Sequence, residues 1–298
     1  MTALADDIPL KPTSPFYWSV RRELWENRSL HMAPLIAAGV LLFGFLLSMR
    51  MLPHRLQEVA GLDTAGQAAV LSRPYDIIAI AIILTSLLVG LFYCLGALHN
   101  ERRDRSILFW KSLPVSDLVT VLSKAVVPMV VLPAIALVVI VATQLVMLLL
   151  STADLLSNGL NPGLLWQRAS PLEAPLVLPY GLAVLAVWNA PVYGWLLMVS
   201  AWARRATFLW AILPPLALCV VEKIAFDTAN FGALLMHRLG GGFDEAFDTG
   251  ARGHGVLGGA VQMEPGRFLT SPDVWGGVAI AAAFIAAAVW LRRYREPI

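Results

Sequence analysis

The sequence predicts an all-α, polytopic membrane protein with six transmembrane helices, an N-terminal interfacial helix and both termini cytoplasmic. Three observations carry that prediction. Of the 298 residues, 58% are apolar and only 14% charged, with a mean hydropathy of +0.70, whereas soluble domains carry about 25% charge. The apolar residues fall into runs approaching the roughly 20 residues that cross a bilayer as helix. In lipid the backbone must close its own hydrogen bonds, which favours helices, and the alternation of a membrane barrel is absent. Finally, Lys and Arg are shared unequally between the two sides that those runs define.

The N-terminal part, 1–32, reads as a cytoplasmic tail followed by the interfacial helix; 33–298 form the six-helix domain. Residues 1–13 are polar, interrupted by Pro9 and Pro12, and read as disordered. Asp6, Asp7, Glu23 and Glu26 precede a first apolar run that lies too deep for a cleavable signal. Ser14-Pro15 is a helix start, a capping hydroxyl followed by proline in the first turn. In the helix that follows, Trp18, Leu24 and Trp25 are placed to face lipid, while Arg21, Arg22 and Glu26 stay wet. A plain extension of the first span is the alternative.

Six spans are expected at 33–49, 75–98, 125–150, 174–203, 206–221 and 274–291. The fifth is short, and only Arg204 and Arg205 separate it from the fourth, so the chain must turn back tightly there. Pro128 and Pro133 in the third span, and Pro175, Pro179 and Pro191 in the fourth, free backbone carbonyls and favour kinks. In the sixth, Ala279, Ala283 and Ala287 form a small-xxx-small seam for close packing, within the chain or between protomers. The long outer loop, 222–273, holds ten glycines, and 224–239 can form a short helix at or dipping into the outer interface.

Orientation follows from charge. One side receives 1–32, 99–124, 204–205 and 292–298, with 14 of the 22 Lys and Arg and 8 of the 20 acids, a net +6. The other side nets −4. The cation-rich side is read as cytoplasmic, and nothing in the balance points to nucleic acid. Cys94 and Cys219 both lie in spans and suggest neither a disulfide framework nor a metal site.

None of the four lysines sits in a phosphate-binding loop, and no metalloprotease helix or nucleophile elbow occurs. Mid-span polar side chains reduce to Gln144 and Asn189, which disfavours an ion-coupled carrier. A redox enzyme would need bound haem, for which His31 and His99 are the one pair at matched depth.

The remaining chemistry lies in the cytoplasmic loop 99–124, within the run Glu-Arg-Arg-Asp-Arg-Ser-Ile-Leu-Phe-Trp-Lys-Ser-Leu-Pro-Val-Ser-Asp at 101–117. Glu101 and Arg105 stand four apart and can pair on a helix. Pro114 ends the segment, and Ser116 or Asp117 can cap the helix that re-enters the membrane. A solvated loop has no reason to carry Ile107, Leu108, Phe109 and Trp110, so these residues suggest a docking surface or membrane re-entry.

This run resembles the membrane subunits of type-2 ATP-binding-cassette (ABC-2) exporters. There a charged end of the second span leads into a short coupling helix, a Leu-Pro-Val-Ser turn and a Lys opening the third span. The motif covers 100–130, and the topology agrees over nearly the whole chain. It departs at Asp117, where a basic residue is usual, and at Ser123, where glycine is common. The resemblance implies a permease subunit without cofactor of its own, paired as a homodimer or heterodimer in the cytoplasmic (inner) membrane. ATP and Mg would be bound by a separate ATPase subunit. It implies that Glu101, Arg102, Arg103, Asp104, Arg105, Ile107, Leu108, Phe109, Trp110, Lys111, Ser112 and Pro114 couple to that ATPase. Trp18, Arg21, Arg22 and Trp25 would hold the interfacial helix. The alternative is a non-transporting anchor that recruits a cytoplasmic partner through the same run.

Overall fold

The computed structural model describes residues 15–49, 64–112, 115–159, 161–168, 174–242, 247–248 and 262–295; they are almost wholly helical. The first half holds α1 (Pro15–Glu26), α2 (Ser29–Ser48), α3 (Thr64–Ala97), α4 (His99–Arg103), α5 (Ser106–Ser112) and α6 (Asp117–Val126). A π-helical turn, Val127–Val131, joins α6 to α7 (Leu132–Ser157). The second half holds α8 (Gly163–Arg168), α9 (Ala174–Trp188), α10 (Ala190–Trp202), α11 (Thr207–Phe226) and α12 (Asn230–Gly240). α13 (Pro265–Thr270) and α14 (Pro272–Tyr294) close the chain. The two-residue strands β1 (Phe247–Asp248) and β2 (Gln262–Met263) pair antiparallel between α12 and α13.

Five helical stretches are long and apolar enough to cross a membrane, and the bent α9–α10 pair makes a sixth. This is a multi-pass architecture. The predicted disordered tail, Ser14 and residues 243–246 and 249–261 of the outer loop lie outside the described residues. Several expected spans are longer than read, because helices continue into polar residues that find partners. The fifth is not short: α11 has 20 residues. It ends at Asp227, whose left-handed backbone reverses the chain, and α12 doubles back so that Gly232 lies beside Cys219. The helix expected from 224 therefore begins at Asn230. Its first turn is capped by the Glu222 carboxylate, which accepts from the Asn230 and Phe231 amides at 2.7 and 2.8 Å.

Prolines shape two spans. Pro128 lies inside the π turn and Pro133 just after it; neither offers an N–H to the preceding helical turn, and the wider turn absorbs the mismatch. Pro191 follows the break at Asn189, where the two halves of the fourth span bend by 47°. The expected turn at Arg204 and Arg205 is present, and α11 starts after Ala206 in left-handed conformation.

Within the chain the sixth span packs through small residues other than the predicted seam. Gly277, Ala281 and Ala288 face inward, whereas Ala279 and Ala283 are exposed. A Cβ on Gly194 of α10 would stand 3.1 Å from the Ala281 carbonyl, so glycine lets the two backbones meet. Ile82, Ile140, Met147 and Leu178 form one apolar core, and Leu30, Cys94, Leu132 and Leu197 another nearer α1.

Candidate functional site

Where α3 ends and α6 begins, the charged run folds into two layers, one buried and one exposed. Ser200 of α10 makes the turn possible: its hydroxyl accepts from the Leu98 and His99 amides at 3.0 and 2.9 Å, satisfying donors that the chain frees on leaving α3. Arg102 is buried and donates to the Ala201 carbonyl at 2.6 Å and the Ala203 carbonyl at 3.4 Å. It thereby meets the exposed carbonyls at the C-terminal end of α10, where the helix dipole favours a cation.

Glu101 does not pair with Arg105. It turns inward and is buried, while Arg105 adopts a left-handed backbone between α4 and α5 and points to solvent. The Glu101 carboxylate receives Arg292 of α14, Lys124 of α6 at 3.1 Å and Arg22 of α1 at 3.2 Å. Lys124 also reaches Glu23 at 2.7 Å, Arg22 reaches Glu23 at 2.8 Å, and Arg292 reaches Asp117 at 3.0 Å. The Tyr93 hydroxyl donates to the other Glu23 oxygen at 2.8 Å. Three cations thus face three carboxylates across four elements, α1, α4, α6 and α14. Lys124 is 2% exposed and Glu23 1%.

Burial alone would raise the Glu23 pKa, but Lys124 and Arg22 outweigh it and hold the carboxyl below its ordinary range. Glu26, on the wet side of the same helix, shifts upward because its partial burial dominates. Such a junction contributes geometry more than net stability. Its members offset one another's desolvation only together, and removing one leaves a buried charge unmatched.

Above it stands the exposed layer. Ile107 is buried and roots α5 in the bundle, whereas Leu108 and Phe109 are 59% and 60% exposed. Trp110 lies between the layers: the Arg22 guanidinium sits 3.9 Å from its ring centroid, and Phe109 meets its edge at 4.9 Å. Arg103 and Asp104 pair at the surface at 3.1 Å. The side chains of Lys111 and Ser112, and all of Pro114, lie outside the described residues. Ser116 rather than Asp117 caps α6, accepting from the Val119 amide at 3.2 Å; Asp117 is occupied by Arg292.

The interfacial helix differs from expectation in the same way. Trp18 and Trp25 are exposed and hold Arg21 between them, 5.1 and 4.5 Å from the ring centroids. Arg22, expected to stay wet, is in the junction, and Leu24 packs into the core. Buried ionisable groups, read as nearly missing, are concentrated at one end of the spans. Mid-span, Gln144 donates to the Tyr75 carbonyl at 3.4 Å and Asn189 to that of Leu185 at 2.9 Å.

Sequence reasoning missed Glu23, Tyr93, Lys124, Ser200 and Arg292 as site residues. One signal was available: Lys124 interrupts an apolar helical start, and an ionisable residue so placed needs a protein partner. No protein-family model, characterised protein or solved structure matches the chain.

Proposed function

We propose that the chain is the permease subunit of an ATP-binding-cassette exporter, with both termini and the α4–α5 elbow in the cytoplasm of a bacterial-type inner membrane. The reading is supported above all by one arrangement: an exposed apolar tip, Leu108 and Phe109, mounted directly on a buried ionic junction. Exposed aromatics on a charged rim suit a protein contact. The junction beneath them ties α1, α4, α6 and α14, so a push on α5 moves several membrane helices as a unit. α3 runs into α4, and α10 is held to α4 through Ser200 and Arg102, which adds the remaining levers. Catalysis of ATP hydrolysis is assigned to a separate subunit carrying the phosphate loop, and two permease copies would enclose the path between inward-facing and outward-facing states.

Purification from native membranes, followed by reconstitution into vesicles, tests the reading. Retention of a phosphate-loop ATPase and ATP-dependent efflux are expected. Retention without any ATP-dependent movement of cargo would favour the anchoring role, and a chain that binds no ATPase would contradict the assignment.

A further inference from the structure

The opposite half of the bundle holds a site of different chemistry. Between α3 and α9 runs a cleft of about 140 Å³. Ile80 and Leu84 form one wall, Leu178 and Gly181 the other, and the ring of Phe247 lies at its outer end. A smaller pocket adjoins it, sharing Ile83, Leu87, Leu182 and Leu185, and is closed by Pro128, Leu132 and Tyr193. The sequence explains each boundary. Phe247 packs over Gly181, its ring 3.5 Å from where a Cβ would stand, an ordinary contact distance. Gly90 admits Leu132 and Tyr193, whose atoms would lie 3.2 and 3.6 Å from its Cβ. The π turn at Val127–Val131 brings Pro128 to the pocket floor, and such turns recur at functional sites.

Tyr193 is the telling residue. It is 3% exposed, lines the closed end of an apolar space, and its hydroxyl makes no hydrogen bond with any described residue. That hydroxyl can both donate and accept, so it is free to meet an oxygen brought in by a guest. Ile80 and Leu84 on one wall are exposed, as are Phe43, Phe92 and Val138 on the lipid-facing surface, so what sets the cleft apart is the buried Tyr193 at its closed end.

We infer that this cleft binds a membrane-soluble, single-chain amphiphile with one hydrogen-bonding oxygen, its hydrocarbon lying between α3 and α9 and its oxygen meeting the Tyr193 hydroxyl. A dry aliphatic cavity of roughly 150 Å³ accepts a benzene-sized guest, so the cleft takes a segment of the chain and leaves the rest in the bilayer. That this amphiphile is the transported cargo rests on the permease reading; that it binds does not. The two walls connect with the elbow at the other end, α3 directly into α4, and α9 through the 47° bend into α10, so changing their separation is linked to movement of α5.

The test uses the full chain in nanodiscs and two photoreactive probes, a twelve-carbon alcohol and the matched alkane, each with a diazirine on the chain. Cross-links are mapped by peptide mass spectrometry. Both probes are expected to label residues 80–87 and 178–185, with the alcohol the tighter. Tyr193→Phe should remove that preference, weakening the alcohol about fivefold, as loss of one neutral hydrogen bond implies, and leaving the alkane unchanged. Unchanged alkane labelling also shows that the variant is folded. Gly181→Leu should displace both probes. Labelling spread evenly over Phe43, Phe92 and Val138, or an alcohol preference that survives Tyr193→Phe, overturns the site. ATPase association is scored separately: binding of the ATPase without cleft labelling defeats this inference alone, and labelling without ATPase binding defeats the permease reading alone.

Discussion

Lys124 and Glu23, 101 residues apart in sequence, stand 2.7 Å apart with both side chains out of solvent. Lys124 is the only lysine among the junction's cations and serves two carboxylates, Glu23 and Glu101. Lys124→Met should therefore leave three carboxylates facing only Arg22 and Arg292, one buried negative charge in excess, and destabilise the fold by about 3–5 kcal/mol, the usual cost of breaking a buried pair. Combining Lys124→Met with Glu23→Gln should recover a measurable part of that loss. Thermal unfolding of the single and double variants in detergent, analysed as a double-mutant cycle, checks this.

The same carboxylate makes stability depend on pH in a definite direction. The folded-state pKa of Glu23 lies below its ordinary value, near 4.3 in the unfolded chain. Its contribution is thus complete above about pH 4.3 and is lost as pH falls through the lower folded value. Arg22, Lys124, Tyr93 and Glu101 face it. Glu23→Gln should flatten the acid limb of the stability profile below pH 4.3, measured by unfolding midpoint against pH, and leave the neutral range with a smaller, constant offset.

Exposure separates the tip from its base. Leu108→Ala should change the unfolding midpoint little, because exposed positions away from special contacts usually shift stability by about 0.5 kcal/mol or less. Ile107→Ala, in a buried position, should cost about 2–5 kcal/mol. Parallel melts of the two variants check the contrast.

At the far end, Trp188 is buried and donates to the Arg238 carbonyl at 2.7 Å, while the Arg238 guanidinium lies 4.5 Å from its ring. Arg238 in turn donates to the Asp273 carbonyl at 3.0 Å. Trp188→Ala should release α12 from the bend between α9 and α10. Faster amide exchange across Asn230–Gly240, with exchange in α1 and α6 unchanged, is the expected signature.

Much of the fold was legible because lipid imposes a simple rule: the apolar runs had to be helical, and each is, although the fourth is broken into α9 and α10. What was not legible depended on distant partners. Glu101 and Arg105 had the spacing of a helical pair, yet Arg292, Lys124 and Arg22 won the carboxylate because they meet it out of water, where an ion pair is stronger. The alanine repeat at 279, 283 and 287 did not tell which face packs within the chain: Gly194 lets α10 meet Ala281, and Ala279 and Ala283 stay exposed. Lys124 was counted as one more cation on its side of the membrane; the four-element junction it belongs to appears only when α14 returns Arg292 to the same end. The exposed tip fared better. Leu108 and Phe109 were conspicuous in a charged loop, and they do stand exposed.

Docking of the proposed ATPase on the Leu108–Phe109 tip is decided by co-purification of the wild-type chain and the Leu108→Asp/Phe109→Asp variant from native membranes. The wild type should retain a phosphate-loop ATPase, and the variant, inserted and melting at the same temperature, should lose at least about tenfold of it, as removal of two central contact residues implies. Equal retention of the ATPase by the two proteins would contradict the account.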